Sequence, residues 1–233
     1  MIVALAALAL GQTAPEPQAT ITDLAFDPAR LFEAPGNDLV QIQYRGDDYA
    51  YPVYAIALRR QCPGERGACR STLMARLVRA PNALKVERPR WAGQALIGAI
   101  VKSGAKTRDQ IADALDKAKL GFLEADISTC PTAKAVMSQA ATMQWVPLAV
   151  TDPDGPPAME MALHADTMTV RFASSYTRLS TYTGIIDDRA PSGWAVRLAA
   201  ALEPCWRPTD ATPPWRRVIP PLPAKRVTDL PPP

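Results

Sequence analysis

YAYPVYAIALRRQCPGERGACRSTLMARLVRA, residues 49–80, divides into an apolar segment, a basic loop bounded by two cysteines and a second apolar segment. From Tyr49 to Arg60 the Tyr, Val and Ile side chains fall on both parities. A strand with that pattern has no face suited to water, so it belongs in the middle of a sheet. Pro63-Gly64 and Gly67 punctuate a turn between Cys62 and Cys69, and cysteines flanking a turn can face each other across a hairpin. Beyond the loop, Leu73, Ala75 and Leu77 alternate as in a strand, while Leu73, Met74, Leu77 and Val78 also make a helical stripe; strand is the reading adopted. Upstream, Val40, Ile42 and Tyr44 alternate with Gln41, Gln43 and Arg45, and Gly46-Asp47-Asp48 marks a turn into Tyr49. These three segments predict an antiparallel meander.

Helical signals follow. Leu96, Ile97, Ile100 and Val101 form one stripe over 91–102, with Ser103-Gly104 as a stop. Thr107 and Gln110 fit a capping box opening a second helix that ends near Gly121. Cys130-Pro131 begins a third, and Pro191-Ser192-Gly193 opens a last one over 194–202. Between them, 145–151 reads as a strand and Asp152 to Pro156 as a turn. Residues 158–173 read as a hairpin turning at Ala165-Asp166, which sets Glu160 against Arg171 and Met161 against Val170; Tyr176 to Thr183 adds a further strand. The expected fold is α+β, an antiparallel sheet of about five to seven strands with three or four helices packed on one face.

The chain of 233 residues divides further by composition. MIVALAALALG, residues 1–11, is an apolar run too short to span a bilayer and is read as a signal peptide, with no transmembrane segment in the mature chain. Residues 12–37 are an extended lead-in with a turn of helix at Pro28 to Phe32, 38–204 the α+β domain, and 205–233 a proline-rich basic arm. Ten of the last thirty residues are proline, which rules out a helix or central strand there. An exported chain, periplasmic or secreted, makes the four cysteines a disulfide framework with three possible pairings. Cys62 with Cys69 and Cys130 with Cys205 is the pairing chosen. A metal site lacks both C-x-x-C spacing and imidazoles, since the chain has one His. No cofactor motif is found.

Formal charge is +3, but residues 59–90 hold nine basic and two acidic side chains, a net of +7, while residues 1–58 hold two basic and seven acidic, a net of −5. Arg59, Arg60, Arg66 and Arg70 around the cysteine loop are therefore the expected binding surface, for an anionic protein, glycan or lipid surface. Outside the cytoplasm nucleic acid is disfavoured. Arginines paired individually with the acids of residues 1–58 would instead be structural.

Other chemistry is weaker. Ser103-Gly104-Ala105-Lys106 matches S-x-x-K, but at a helix end rather than a start. Met159, Met161, His164 and Met168 suggest copper(I), yet strand parity sends 159 and 161 away from 164. His164 with Asp166 lacks a G-x-S-x-G serine, and the carboxylate pairs Glu124/Asp126 and Asp187/Asp188 read as solvated acids at turn or helix ends. Arg217 to Pro223 fits the R-x-x-P-x-x-P form of a polyproline II ligand. The residues favour a non-catalytic binding or interaction protein, the alternative being a hydrolase with an active site assembled from separate segments. A deep cleft with convergent polar groups would favour the hydrolase.

Overall fold

A computed structural model describes residues 17–33, 38–46, 49–61, 72–140, 165–175 and 178–217. Its centre is the meander: β1 (Asp38–Gly46), β2 (Tyr51–Gln61) and β3 (Thr72–Arg79). Ile42 pairs with Ile56, and Ile56 with Leu77, so one face carries Val40, Ile42, Tyr44, Tyr54, Leu58 and Ala75. The other face carries Gln41, Gln43, Ala55, Ala57, Arg59 and Arg76. Ala55, Ile56, Ala57 and Leu58 are all essentially inaccessible, which is the two-sided burial that the apolar parities of β2 require.

Four more strands complete an antiparallel sheet of seven. β4 (Gly121–Asp126) pairs β3, and the two-residue β7 (Arg207–Pro208) pairs β4. On the opposite side, β5 (Thr167–Ser175) pairs β1 and β6 (Arg178–Ile185) pairs β5, giving the order β6-β5-β1-β2-β3-β4-β7. Arg171 of β5 is matched with Gln41 and Thr181, and Val170 with Ile42 and Tyr182. Both sides of β5 are thus occupied, and the expected register of Arg171 with Glu160 and of Val170 with Met161 does not form. β5 instead takes the free edge of β1, whose apolar parity it continues. Residues 1–16, the loop with Cys62 and Cys69, the strand expected at 145–151, the turn at 152–156 and Met159, Met161 and His164 lie outside the described residues.

Helices cover both faces rather than one. α1 (Pro17–Ala25), α2 (Arg90–Lys102) and α3 (Arg108–Ala118) contact one another, and the Phe26 carbonyl that follows α1 accepts the Gln43 side-chain amide at 2.8 Å. This layer therefore lies on the Gln43 and Arg59 side. α4 (Pro131–Ala140) and α5 (Pro191–Leu202) form the opposite layer, where Trp194 meets Phe172 with ring centroids 5.1 Å apart and donates its indole N–H to the Val136 carbonyl at 3.0 Å.

Local chemistry explains where these helices begin and end. Thr107 and Gln110 make the reciprocal capping box, and Gly104 sits past the end of α2 at φ +73, a conformation without penalty only for glycine. Within α2, Gly93 lets the helix approach β2 closely, since a Cβ there would lie 2.6 Å from the Pro52 carbonyl. The lead-in is less extended than its sequence suggested: 17–25 is helical, because Ile21, Leu24 and Ala25 bury one stripe. The expected turn of helix at Pro28 is present, with Asp27 accepting from the Ala29 amide. Strand β4 follows α3 directly, in a stretch the sequence reading left unassigned.

The chain after α5 packs on the body as far as Arg217. Cys130, just before α4, is bonded to Cys205, just after α5, closing a separation of 75 residues. The two ends of the α4/α5 layer are thereby fixed to the β4 side of the sheet. Trp215 is buried and donates to Asp116 Oδ1 at 2.6 Å, while Arg216 pairs with Asp113 at 2.6 Å and with Asp116. Burial pushes the Asp116 carboxyl up, but the Trp215 indole and the Arg216 guanidinium outweigh it and hold it below its ordinary value.

Two expectations follow. Replacing both Cys130 and Cys205 by alanine should lower unfolding free energy by about 2–5 kcal/mol in urea titration, the range for a loop of this length; a loss under about 1 kcal/mol would contradict a closed crosslink. Because the Asp116 pKa is depressed on folding, its contribution is present above the unfolded carboxylate value and lost as pH falls through the folded one. Asp116→Asn should therefore weaken protection of the Trp215 indole at pH 7, read by hydrogen exchange, and make no difference well below pH 3.8, its ordinary value.

Candidate functional site

Arg59, the first of the four expected surface arginines, is inside the protein. Its Nε lies 2.6 Å from Asp38 Oδ1, Gln41 donates to the other carboxylate oxygen at 2.8 Å, and the guanidinium lies 4.5 Å from the Phe32 ring centre. Parity explains this: Arg59 shares a face with Ala55 and Ala57, under the 17–33 segment. It is paired with an acid of the N-terminal region, the arrangement that makes an arginine structural. Arg60, on the opposite parity, is exposed. Arg66 and Arg70 lie outside the described residues, so Arg60 alone of the four is placed at the surface.

Other candidate groups have local duties. Ser103 caps α2 and donates to the Ile100 carbonyl at 2.6 Å. Asp126 accepts from the Ser128 amide, Asp187 from the Arg189 amide, and Glu124 from the Thr209 hydroxyl. Met168 is buried in the core opposite Tyr44, and Asp166 accepts the Tyr44 hydroxyl at 2.6 Å. Among the described residues no group of three or more His, Cys, Asp or Glu side chains could hold a metal ion, and no helix is long and apolar enough to cross a membrane.

The sheet face under α5 holds a feature the sequence did not announce. Tyr54, Ile56 and Leu77 form a floor, Val196, Ala199 and Ala200 of α5 form one wall, and Leu84 with Pro89 form another. The cavity between them has a volume of about 440 Å³, within the range of small-molecule sites. Ala199 and Ala200 of α5 border it together with Ile56 and Leu77, and their small side chains leave space that Leu or Phe would fill. Leu84, Ile186 and Val196, large apolar side chains that stand exposed, line it as well. The opening is therefore apolar too, as the surface around a candidate binding site can be.

Five side chains with polar atoms line the pocket: Tyr44, Tyr54, Arg79, Glu203 and Trp206, whose indole N–H can only donate. Arg79 Nη1 donates to both Glu203 oxygens, at 2.9 and 2.8 Å, so each charge is answered by the other. Tyr44 and Tyr54 meet edge to face, centroids 5.1 Å apart. Burial, and then the bond to Asp166, push the Tyr44 phenol far above its usual value; burial does the same for Tyr54. Both remain protonated across the ordinary pH range. Such a lining can enclose an apolar body and offer it few polar contacts.

The buried pair should behave differently from the exposed arginine. Arg59→Met leaves Asp38 buried without its cation and should cost about 3–5 kcal/mol in urea unfolding, whereas Arg60→Glu should change stability by under about 0.5 kcal/mol. Equal effects would show Arg59 to be at the surface. Comparison with family models, with curated proteins and with solved structures found no match.

Proposed function

We propose that this protein is an exported, non-catalytic binding protein whose ligand site is the apolar pocket between α5 and the central strands. The observation that carries the reading is the lining: a small-molecule-sized space with aliphatic and aromatic walls and an apolar opening. Its only acid and base, Glu203 and Arg79, are engaged with each other, which supports binding over the alternative of a hydrolase. Export is supported by the apolar run at residues 1–11 and by the Cys130–Cys205 crosslink, a bond that persists in oxidising compartments. The exposed Arg60, with Arg66 and Arg70, is kept as a separate surface for an anionic protein, glycan or lipid surface.

A neutral apolar fluorophore such as 1-N-phenylnaphthylamine tests the pocket. The wild-type protein should enhance its emission saturably at micromolar concentration. Ala199→Trp, which fills the space, and Val196→Arg, which charges the opening, should each weaken binding at least tenfold with melting temperature kept. Binding unchanged in both variants, or no saturable binding by the wild type, would overturn the proposal.

A further inference from the structure

We infer that the pocket takes one uncharged amphiphile, an alkyl or aryl body carrying a single hydrogen-bond acceptor that meets the Tyr54 hydroxyl. This deepens the reading of the pocket as the ligand site and rests on it.

The argument is by what each polar group has left to offer. Tyr44 gives its hydroxyl proton to Asp166, 2.6 Å away. Arg79 and Glu203 are closed on each other through two contacts. Tyr54 differs from these three, because its hydroxyl has no hydrogen-bond partner among the described residues; the Trp206 indole N–H, also in the lining, is a second donor without one there, so a ligand acceptor meets donors and no competing acceptor. Tyr54 is only partly buried, so solvent can meet its hydroxyl in the pocket, and a ligand that displaces that solvent keeps the hydrogen bond only if it supplies an acceptor there.

Charge decides the head group. An anion would have to take Arg79 from Glu203 and leave that carboxylate exposed to a like charge; a cation would have to do the reverse. Either one also loses its hydration on entering an apolar space, and the pocket has no further charge to compensate it. A neutral carbonyl, amide or ether oxygen needs only the phenol, which burial holds protonated. Size sets the body: if each non-hydrogen atom needs roughly the 30 Å³ of a water, the cavity takes on the order of 15 such atoms.

Decanamide and decanoate make a matched pair, with the same chain and nearly the same head shape but different charge. Each is measured by displacement of 1-N-phenylnaphthylamine at pH 8 from the wild-type protein, from Tyr54→Phe and from Glu203→Gln. Decanamide should bind the wild type at least tenfold more tightly than decanoate, and Tyr54→Phe should weaken decanamide about three- to tenfold, the value of one hydrogen bond, and by a larger factor than it changes the fluorophore's own affinity. Glu203→Gln, which frees Arg79, should improve decanoate and leave decanamide within twofold. Decanoate binding as tightly as decanamide, or decanamide indifferent to Tyr54→Phe, would overturn this inference while the pocket reading stands. Failure of the fluorophore itself to bind would overturn the pocket reading instead.

Discussion

Strand β2 is buried on both faces, and that constraint organises the rest of the molecule. Val53, Ala55 and Ala57 need cover on one side and Ile56 and Leu58 on the other, and a sheet with one wet face cannot supply it. The α1, α2 and α3 layer answers the first requirement and the α4, α5 layer the second. Side-chain size differs between the two faces. Alanines at 55 and 57 leave space that Phe32 and the Arg59–Asp38 pair use, so the 17–33 segment can come close to the sheet. Larger residues, Tyr54, Ile56 and Leu58, stand on the opposite face. There α5 presents Ala199 and Ala200 toward Tyr54, Ile56 and Leu77, and the pocket lies among them.

The chain termini of the α4/α5 layer are fixed by different means than its middle. Cys130–Cys205 joins its two ends, and Thr132 adds a hydrogen bond to the Ala201 carbonyl at 2.7 Å. The middle is held by Trp194, which is fully buried against Phe172 and satisfied by Val136. Rigid anchoring on both sides of Val196 to Ala200 means that the helix cannot simply settle into the space beneath it. A cavity in an unanchored helix would be expected to relax in part, recovering packing energy. Here the covalent and aromatic anchors oppose that relaxation, which links the crosslink to the existence of a site.

Much of this fold was legible in the sequence, for reasons that vary by element. The meander was readable because alternation in β1 and two-sided apolarity in β2 report burial directly. The cap of α3 was readable because Thr107 and Gln110 are neighbours whose chemistry is local. Export left three pairings open, and Cys130–Cys205 was the partner of the choice that set Cys62 against Cys69 across a turn; Cys130–Cys205 is present. Helix α1 was obscured by prolines and threonines of poor intrinsic propensity, and forms by tertiary burial of Ile21 and Leu24. β4 is a strand of six residues with one buried side chain, too brief to show a period. Arg59 looked like surface charge because its partner, Asp38, is 21 residues away and meets it only through the β1–β2 pairing. The pocket was not legible at all: it is defined by absent side-chain volume among residues from β1, β2, β3, the 83–89 turn and α5, and no periodicity records a vacancy.

The central claim is that this vacancy is a ligand site and not a packing defect. Methyl-resolved NMR of the wild-type protein titrated with 1-N-phenylnaphthylamine tests it most directly. The account predicts saturable shifts at Ile56, Leu77, Val196, Ala199 and Ala200, with Ile21, Leu24 and Leu115 on the other side of the sheet unmoved. Shifts centred on Ile21, Leu24 and Leu115, or small non-saturating shifts spread over the whole surface, would contradict it.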